Sequence, residues 1–215
     1  MTELAEHWDR AYREGEATRS WFEATPAESL RMLDRAGVTP DDSVIDVGGG
    51  ASHLVDALLE RGHRDLTVLD VSAEGMACAK RRIDSGEKRL GRVRVEWLIE
   101  DIRAWHPSRQ WSVWHDRAVL HFMVETADRA GYLAALCAAI PSGGVAVFGC
   151  FAPDGPERCS GLPVARYDPD GLGRLLGDGW TRIGEDREQH LTPVGVVQPF
   201  TWASFLRSSR DRIKA

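Results

Sequence analysis

The sequence predicts an open α/β sheet of about seven strands, mostly parallel, with helices on both faces and an antiparallel hairpin at the C-terminal end. Three observations carry this. Short apolar runs alternate with amphipathic segments of about ten residues, the pattern of a parallel sheet with helical crossovers. The first apolar run ends in three consecutive glycines, Gly48, Gly49 and Gly50. The last two apolar segments follow each other with no helical stretch between them. At 215 residues the chain has the length of one domain.

Residues 1–42 read as a helical cap. Over 27–36, Leu30, Met32 and Leu33 fall at helix-compatible spacing, and Gly37 is a stop signal. A strand is predicted over 43–47 and an amphipathic helix over 53–60, closed by Gly62. The second strand spans 66–71 (LTVLDV), and the second crossover helix 73–83. The alternation continues with strands over 93–99 and 111–116, then a helix over 129–140. The turn Pro141-Ser142-Gly143-Gly144 precedes a fifth strand over 145–151. Segments 179–190 and 196–205 form the terminal hairpin. The expected organisation is one domain: cap 1–42, ligand-binding core 43–151, and an acceptor-side insertion with hairpin over 152–215.

Composition narrows the function. Apolar residues make up 43% and charged residues 28%, as in an ordinary globular protein. Lysine and arginine number 27 against 33 acids, a net charge of −6. That argues against a nucleic-acid partner, which draws on a basic surplus. The basic run from Lys80 through Arg81, Arg82, Lys88, Arg89 and Arg92 to Arg94 reads as a solvated outer face. No apolar run approaches the roughly 20 residues that span a bilayer, so no membrane partner is expected. MTELAEHWDR lacks the basic and apolar regions of a signal peptide. The expected compartment is the cytoplasm. Cys78, Cys137, Cys150 and Cys159 form no CxxC pair, and no metal site is expected.

In such a sheet the ligand lies at the carboxyl ends of the strands, where strand order reverses. There the chain carries VIDVGGGAS. The glycines admit a tight turn and a close approach, and the following helix N-terminus offers free N–H donors to an anion. Asp70 ends the second strand, 24 residues after Asp46, placed to accept from both hydroxyls of a ribose. Asp101 follows the third strand and can accept from an exocyclic amine. A dinucleotide fingerprint requires glycine or alanine where His53 stands. Asp46 beside the glycines disfavours a diphosphate and suits an ammonium. S-adenosylmethionine, with its amino-acid group, ribose and adenine, meets each of these demands.

The runs VIDVGGGAS, VLDVS and EDI resemble the first three motifs of the class I S-adenosylmethionine-dependent methyltransferases. WSVWHDRAVLHF is similar to their fourth motif, and IPSGGVAVFGCF to the turn and strand that follow. The resemblance covers about half the chain and implies a Rossmann-like fold with an N-terminal lid. It places Asp46, Gly48, Gly49 and Gly50 around the methionine part, Asp70 on the ribose, and Val71 and Met76 on the adenine face. Asp101 and Ile102 then read the adenine edge. The family often has a third alternating glycine where Ser52 stands; a serine suits that helix start as a cap. The implied product is S-adenosylhomocysteine.

Methyl transfer requires nucleophile, methyl and sulfur in line, and a base only where the acceptor must lose a proton. His115, Asp116, Arg117 and His121 follow or end the fourth strand and are the candidates for acceptor contacts. His121 is the first candidate base, with Asp116 and His115 beside it; packing is the competing reading for His121, and an Asp116–Arg117 ion pair for those two. Trp21 and Phe22 shield the sulfonium in this reading, whereas Trp8 and Tyr12 read as core aromatics of the cap. Cys159 and Arg166, in the irregular segment 151–167, are further acceptor contacts, Cys159 also as a ligand for a thiophilic metalloid. His190 and Gln198 are candidates for the same crevice. The leading function is methylation of a small molecule. A protein-lysine methyltransferase and a non-catalytic cofactor-binding module are the alternatives, and a nicotinamide oxidoreductase is disfavoured by Asp46 and His53.

Overall fold

Each crossover predicted from the alternation of apolar runs is present, and the strands stand side by side in an order that reverses once. The structure, a computed structural model, describes residues 2–13, 15, 19–90 and 95–208, with only the backbone of 86–90. After α1 (Glu3–Arg13) and α2 (Ala27–Arg35) come β1 (Val44–Val47), α3 (Leu54–Glu60), β2 (Leu66–Asp70), α4 (Ala73–Leu90) and β3 (Val95–Ile99). Then follow β4 (Val113–Arg117), a 3-10 turn (Leu120–Phe122), α5 (Thr126–Ala139) and β5 (Val145–Phe151). A small hairpin of β6 (Arg158–Cys159) and β7 (Leu162–Pro163) precedes α6 (Pro169–Leu176), β8 (Trp180–Leu191) and β9 (Val197–Arg207).

The main sheet has the order β3-β2-β1-β4-β5-β9-β8. Its first five strands are parallel, and β9 pairs antiparallel with both β5 and β8. Strand order reverses between β1 and β4, the position at which an open α/β sheet leaves a crevice. Every residue of β1 and β2 is buried, as expected of central parallel strands covered on both faces. On one face Leu30, Met32, Leu33, Leu54 and Leu58 pack with Val44, Val68, Val113 and Val147. On the other, Trp114, Tyr132, Leu136 and Leu172 pack with Ile45, Leu69 and Phe148. Among the described residues no helix is long and apolar enough to cross a membrane.

The structure departs from the sequence reading at several boundaries. The third strand begins at Val95, while Val93 and Arg94 of the predicted strand lie outside the described residues, as do Arg92 and the side chains of Lys88 and Arg89 of the basic run. Helix α4 continues past residue 83, and α5 starts at Thr126 rather than 129. The unassigned stretch before the terminal hairpin holds α6. Its cap is local: Asp168 accepts from Gly171 N–H at 2.5 Å, and Pro169 opens the first turn.

A buried network fixes the turn after β4. Trp114 Nε1 donates to Tyr132 Oη at 3.0 Å, and Tyr132 Oη donates to Asp116 Oδ2. Asp116 also accepts from the N–H groups of Val119 and Leu120, both at 2.9 Å. Ala118 sits in the left-handed region at φ 67°, so these bonds hold a backbone that an L-residue otherwise avoids. Tyr132→Phe leaves the Trp114 N–H unpaired and removes one donor from a buried carboxylate. Denaturant titration is expected to show a loss of about 2–3 kcal/mol with the fold retained.

Candidate functional site

The loop after β1 is shaped by what lies against it. Gly48 has φ +70°, and a Cβ there would meet Val119 Cγ2 at 1.9 Å. Gly50 has φ +42°, and its Cβ would fall 2.3 Å from Tyr12 Oη and 2.9 Å from Asp70 Oδ2. No other residue type fits either position without moving its neighbours. Ser52, standing where a further glycine was the alternative, accepts from Leu54 N–H at 3.1 Å and so helps start α3. The loop is braced from outside by Arg82. Its guanidinium donates to the carbonyls of Ala51 (3.1 Å) and Ser52 (2.7 Å) and forks onto Asp56. This member of the basic run therefore supports the glycine loop, in contrast to the solvated face expected.

Three strand-end acids line one cavity. Asp46 and Asp70 are nearly inaccessible, and Asp101 stands beside them. Burial raises the Asp70 carboxyl to about 7, and the nearby Asp46 and Asp9 add to this against the N–H bonds from Ser72 and Gly50. Asp101 has the opposite fate: the Arg103 guanidinium, forked on it at 2.6–3.1 Å, holds its carboxyl low. Asp46 Oδ1 lies 2.7 Å from His115 Nδ1 across the β1–β4 register. The remaining atoms of that pair, Asp46 Oδ2 and His115 Nε2, are buried without a hydrogen-bond partner among the described residues.

The roof comes from the N-terminal segment. Leu4, Trp8 and Tyr12 of α1 and Trp21 and Phe22 of the following strap face the cavity. Trp8 meets Trp21 and Phe122 edge-on, with centroids 5.6 Å and 5.2 Å apart. A buried acid seats this roof: Asp9 accepts from Ser72 Oγ at 2.7 Å and from Glu74 N–H at 3.1 Å, capping the N-terminus of α4 from another helix. Arg13 adds an exposed ion pair to Glu74 at 3.1 Å.

The cavity wall brings together Trp21, Phe22, Asp46, Gly48, Gly49, Asp70, Val71, Asp101, Ile102, His115, Arg117 and Cys159 from the sequence reading. Gly50 sits at its margin, against Tyr12 and Asp70. Six expected residues are elsewhere. Met76 is fully buried in the core between α4 and the sheet. Asp116 points into the Tyr132 network and makes no ion pair with Arg117. His121 is wholly inaccessible, with neither ring nitrogen bonded among the described residues, and burial beside Arg117 lowers it to about 3. It is a packed neutral ring, in contact with Phe122 and Phe151. Arg166 ties its own segment together through Gly155 O and Glu157. His190 and Gln198 do not line the cavity either.

Cys159 reaches the wall, and burial raises its thiol above the usual range. Wall residues missed from sequence include Glu23, Ser29, His53, Glu100 and Phe122, together with Trp8 and Tyr12, for which the core was the favoured reading. A WxxxY spacing on α1 was the available signal for the last two.

The unpaired atoms define what fits. A buried carboxylate oxygen of Asp46 and an imidazole nitrogen lack partners among the described residues, and Asp70 needs donors to ionise. S-adenosylmethionine, carrying an ammonium, two ribose hydroxyls and an amino-purine, has those donors.

Comparison with known proteins points the same way. A family model described as a methyltransferase domain matches residues 44–144. No curated protein matches the chain. Among solved structures, one described under the conversion of a disulfide bond into a thioacetal group during echinomycin biosynthesis shares 20% identity at a TM-score of 0.75, covering 96% of this chain and 94% of that one. The Burkholderia thailandensis 1,6-didemethyltoxoflavin-N1-methyltransferase, with its acceptor and S-adenosylhomocysteine bound, shares 20% at a TM-score of 0.67 over 96% and 85%. The N-methyltransferase NodS from Bradyrhizobium japonicum WM9, in complex with S-adenosylhomocysteine, shares 17% at 0.69 over 94% and 98%. At these identities the likeness is one of fold.

Two substitutions test the site's electrostatics. With Asp70 raised from 3.8 to about 7, the folded protein holds a proton that the unfolded chain releases, so stability falls as pH rises from about 4 to 7 and is level above. Asp70→Asn is expected to remove that fall in melting temperatures read across this range, while weakening S-adenosylhomocysteine binding about tenfold or more in calorimetry. His121 acts in the opposite sense, its contribution being lost as pH drops below about 6.5 toward 3. His121→Leu is expected to melt no lower than wild type, to resist acid better, and to bind S-adenosylhomocysteine unchanged.

Proposed function

We propose that this chain, which belongs to the class I S-adenosylmethionine-dependent methyltransferases, transfers a methyl group in line to a small-molecule acceptor and uses His115 to take the acceptor's proton. The observation that carries the reading is the Asp46–His115 pair, whose outer atoms stay unpaired on the wall beside the glycine loop. When Nδ1 of His115 donates to Asp46, Nε2 is left as the lone-pair nitrogen of a ring on the cavity wall. In this reading Asp46 both orients that ring and receives the ligand's ammonium with its second oxygen.

When bound, S-adenosylmethionine supplies a methyl group on a positively charged sulfur. The chain's own task is to hold, dry and orient. Asp70 takes the ribose hydroxyls, and its carboxylate regains as a ligand contact the donors that burial denies it. Val71, Asp101 and Ile102 border the adenine, Asp101 kept ionised by Arg103. Trp8, Tyr12, Trp21 and Phe22 close over the cavity and exclude water. Residues 1–42 thus serve as cap, 43–151 as cofactor core, and 152–215 as acceptor side and hairpin, within one unit.

A small acceptor is favoured by the roof itself. The cavity is covered by α1, the strap and Cys159 of the β6–β7 hairpin, which suits an enclosed guest better than a lysine on a protein surface. Two of the similar structures are named as N-methyltransferases, one holding 1,6-didemethyltoxoflavin, in keeping with this size of acceptor.

Incubation of a cell extract with the enzyme and methyl-labelled S-adenosylmethionine is expected to place label in the small-molecule fraction; label confined to protein would transfer the assignment to lysine methylation. With the acceptor in hand, His115→Gln is expected to lower kcat by about 10²–10⁴ while cofactor binding persists. Unchanged turnover would remove His115 from the mechanism.

A further inference from the structure

Behind the strap lies a charged cluster that the binding of cofactor does not use. Four side chains from three segments meet there, Glu23 of the strap, Arg117 at the end of β4, and Glu188 and His190 of β8, with Trp202 of β9 closing the back. Arg117 Nη1 donates to Trp21 O at 2.9 Å, and its Nη2 lies 3.0 Å from Glu23. His190 Nε2 donates to Ser20 O at 2.6 Å. Its Nδ1 faces Glu23 at 3.5 Å and Glu188 at 3.7 Å. Glu188 is fixed from the other side by Trp202 Nε1 at 2.7 Å. His190 is 4% exposed.

We propose that His190, backed by Glu188, is a positioning residue for methyl transfer: protonated on both nitrogens, it seats residues 20–23 so that Trp21, Phe22 and Glu23 form the cofactor cavity's wall. The inference rests on the functional reading above. One ring nitrogen meets a carbonyl, and the other lies among the Glu23 and Glu188 carboxylates and the Arg117 guanidinium at 3.4–3.7 Å, so a proton on that nitrogen lets the ring donate to the two acids while Arg117 stays on Glu23 and Trp21 O. Burial pulls His190 down, but Glu188 and Glu23 outweigh it against the repulsion of Arg117 and hold it at about 9. As pH rises through that value the seat loses a donor and a charge, so strap closure weakens on the alkaline side. Arg117, expected from sequence to touch the acceptor, turns its guanidinium to the strap. The other titratable group near this junction is Cys159, beside Ser20 and Arg117.

A divalent cation is the competing occupant, because Glu23, Glu188 and His190 each bring a ligand atom within 4.8 Å of the others. Arg117 opposes it. The guanidinium stands 3.0 Å from Glu23 and 3.4 Å from His190 Nδ1, already supplying positive charge where an ion would sit.

Calorimetric titration at pH 7.5 and pH 10 with 5′-methylthioadenosine, a nucleoside thioether without the amino-acid amine that itself titrates over this range, tests the inference on the full chain. Wild type is expected to bind on the order of tenfold more weakly at pH 10, and Cys159→Ala to keep that step. His190→Gln is expected to bind about tenfold more weakly at pH 7.5, to lose the alkaline step, and to raise the cofactor KM more than it lowers kcat. Glu23→Gln combined with His190→Gln is expected to cost less than the two single effects together. A wild type that binds equally at both pH values, or a His190→Gln protein that keeps the alkaline step, overturns the inference; the wild-type arm decides should that variant not fold. No binding by any protein at either pH would overturn the functional reading instead. Zinc chloride titrated alone, if it bound one ion per chain in wild type and none in His190→Gln, would replace the seat by a metal site.

Discussion

Carboxylates kept away from water at the end of a sheet are the constraint around which this molecule is organised. Asp9, Asp46 and Asp70 are 3%, 5% and 7% exposed, and burial, with smaller repulsion from Asp46 and Asp9, raises Asp70. Like charges drawn into a low dielectric repel, and each also gives up hydration. The fold meets this with backbone and hydroxyl donors at Asp9 and Asp70 and with an imidazole at Asp46. What is left unsatisfied is on the ligand's side. A site that destabilises its own empty form gains binding energy when a donor-rich cation fills it, and the acidic floor selects for a sulfonium-bearing nucleoside over a diphosphate.

Strand β4 shows how one short sequence serves two purposes. Successive side chains of a strand point to opposite faces. Trp114 and Asp116 go down to Tyr132 and the α5 side, whereas His115 and Arg117 go to the cavity side. The sequence reading took 115, 116, 117 and 121 as one cluster around the acceptor. Alternation divides them: Asp116 folds the chain back, and His121, on the turn that results, is carried into the core. The period of two was available in the sequence, but a five-residue strand followed by a non-helical turn gave no phase from which to apply it.

Much of the cofactor side was legible because it is local. A strand that ends in glycines, with an acid before them and acids at the ends of the next two strands, determines the crevice through topology alone. Met76 was misassigned because the phase of α4 relative to the sheet depends on packing that sequence spacing does not reveal. Glu23, Ser29 and Asp9 were missed for a related reason. Glu23 and Asp9 act through partners tens of residues away, and Ser29 reaches the wall with its hydroxyl unpartnered among the described residues; nothing in the neighbourhood of each distinguishes it from an ordinary surface acid or helix serine. Helix α6 had its cap and stop in plain view, but two internal glycines masked the periodicity.

The cross-helix cap made by Asp9 has a consequence for how such proteins diversify. Because the first turn of α4 is completed by a side chain more than sixty residues earlier, the N-terminal segment is not an interchangeable accessory. A chimera that borrows its opening residues from a cousin inherits a new ceiling, and with it either brings or forfeits the termination of an interior helix. A replacement segment without an acid in register leaves the Glu74 N–H and the Ser72 hydroxyl without that acceptor, and Ser72 alone then caps the helix through Gly75 N–H.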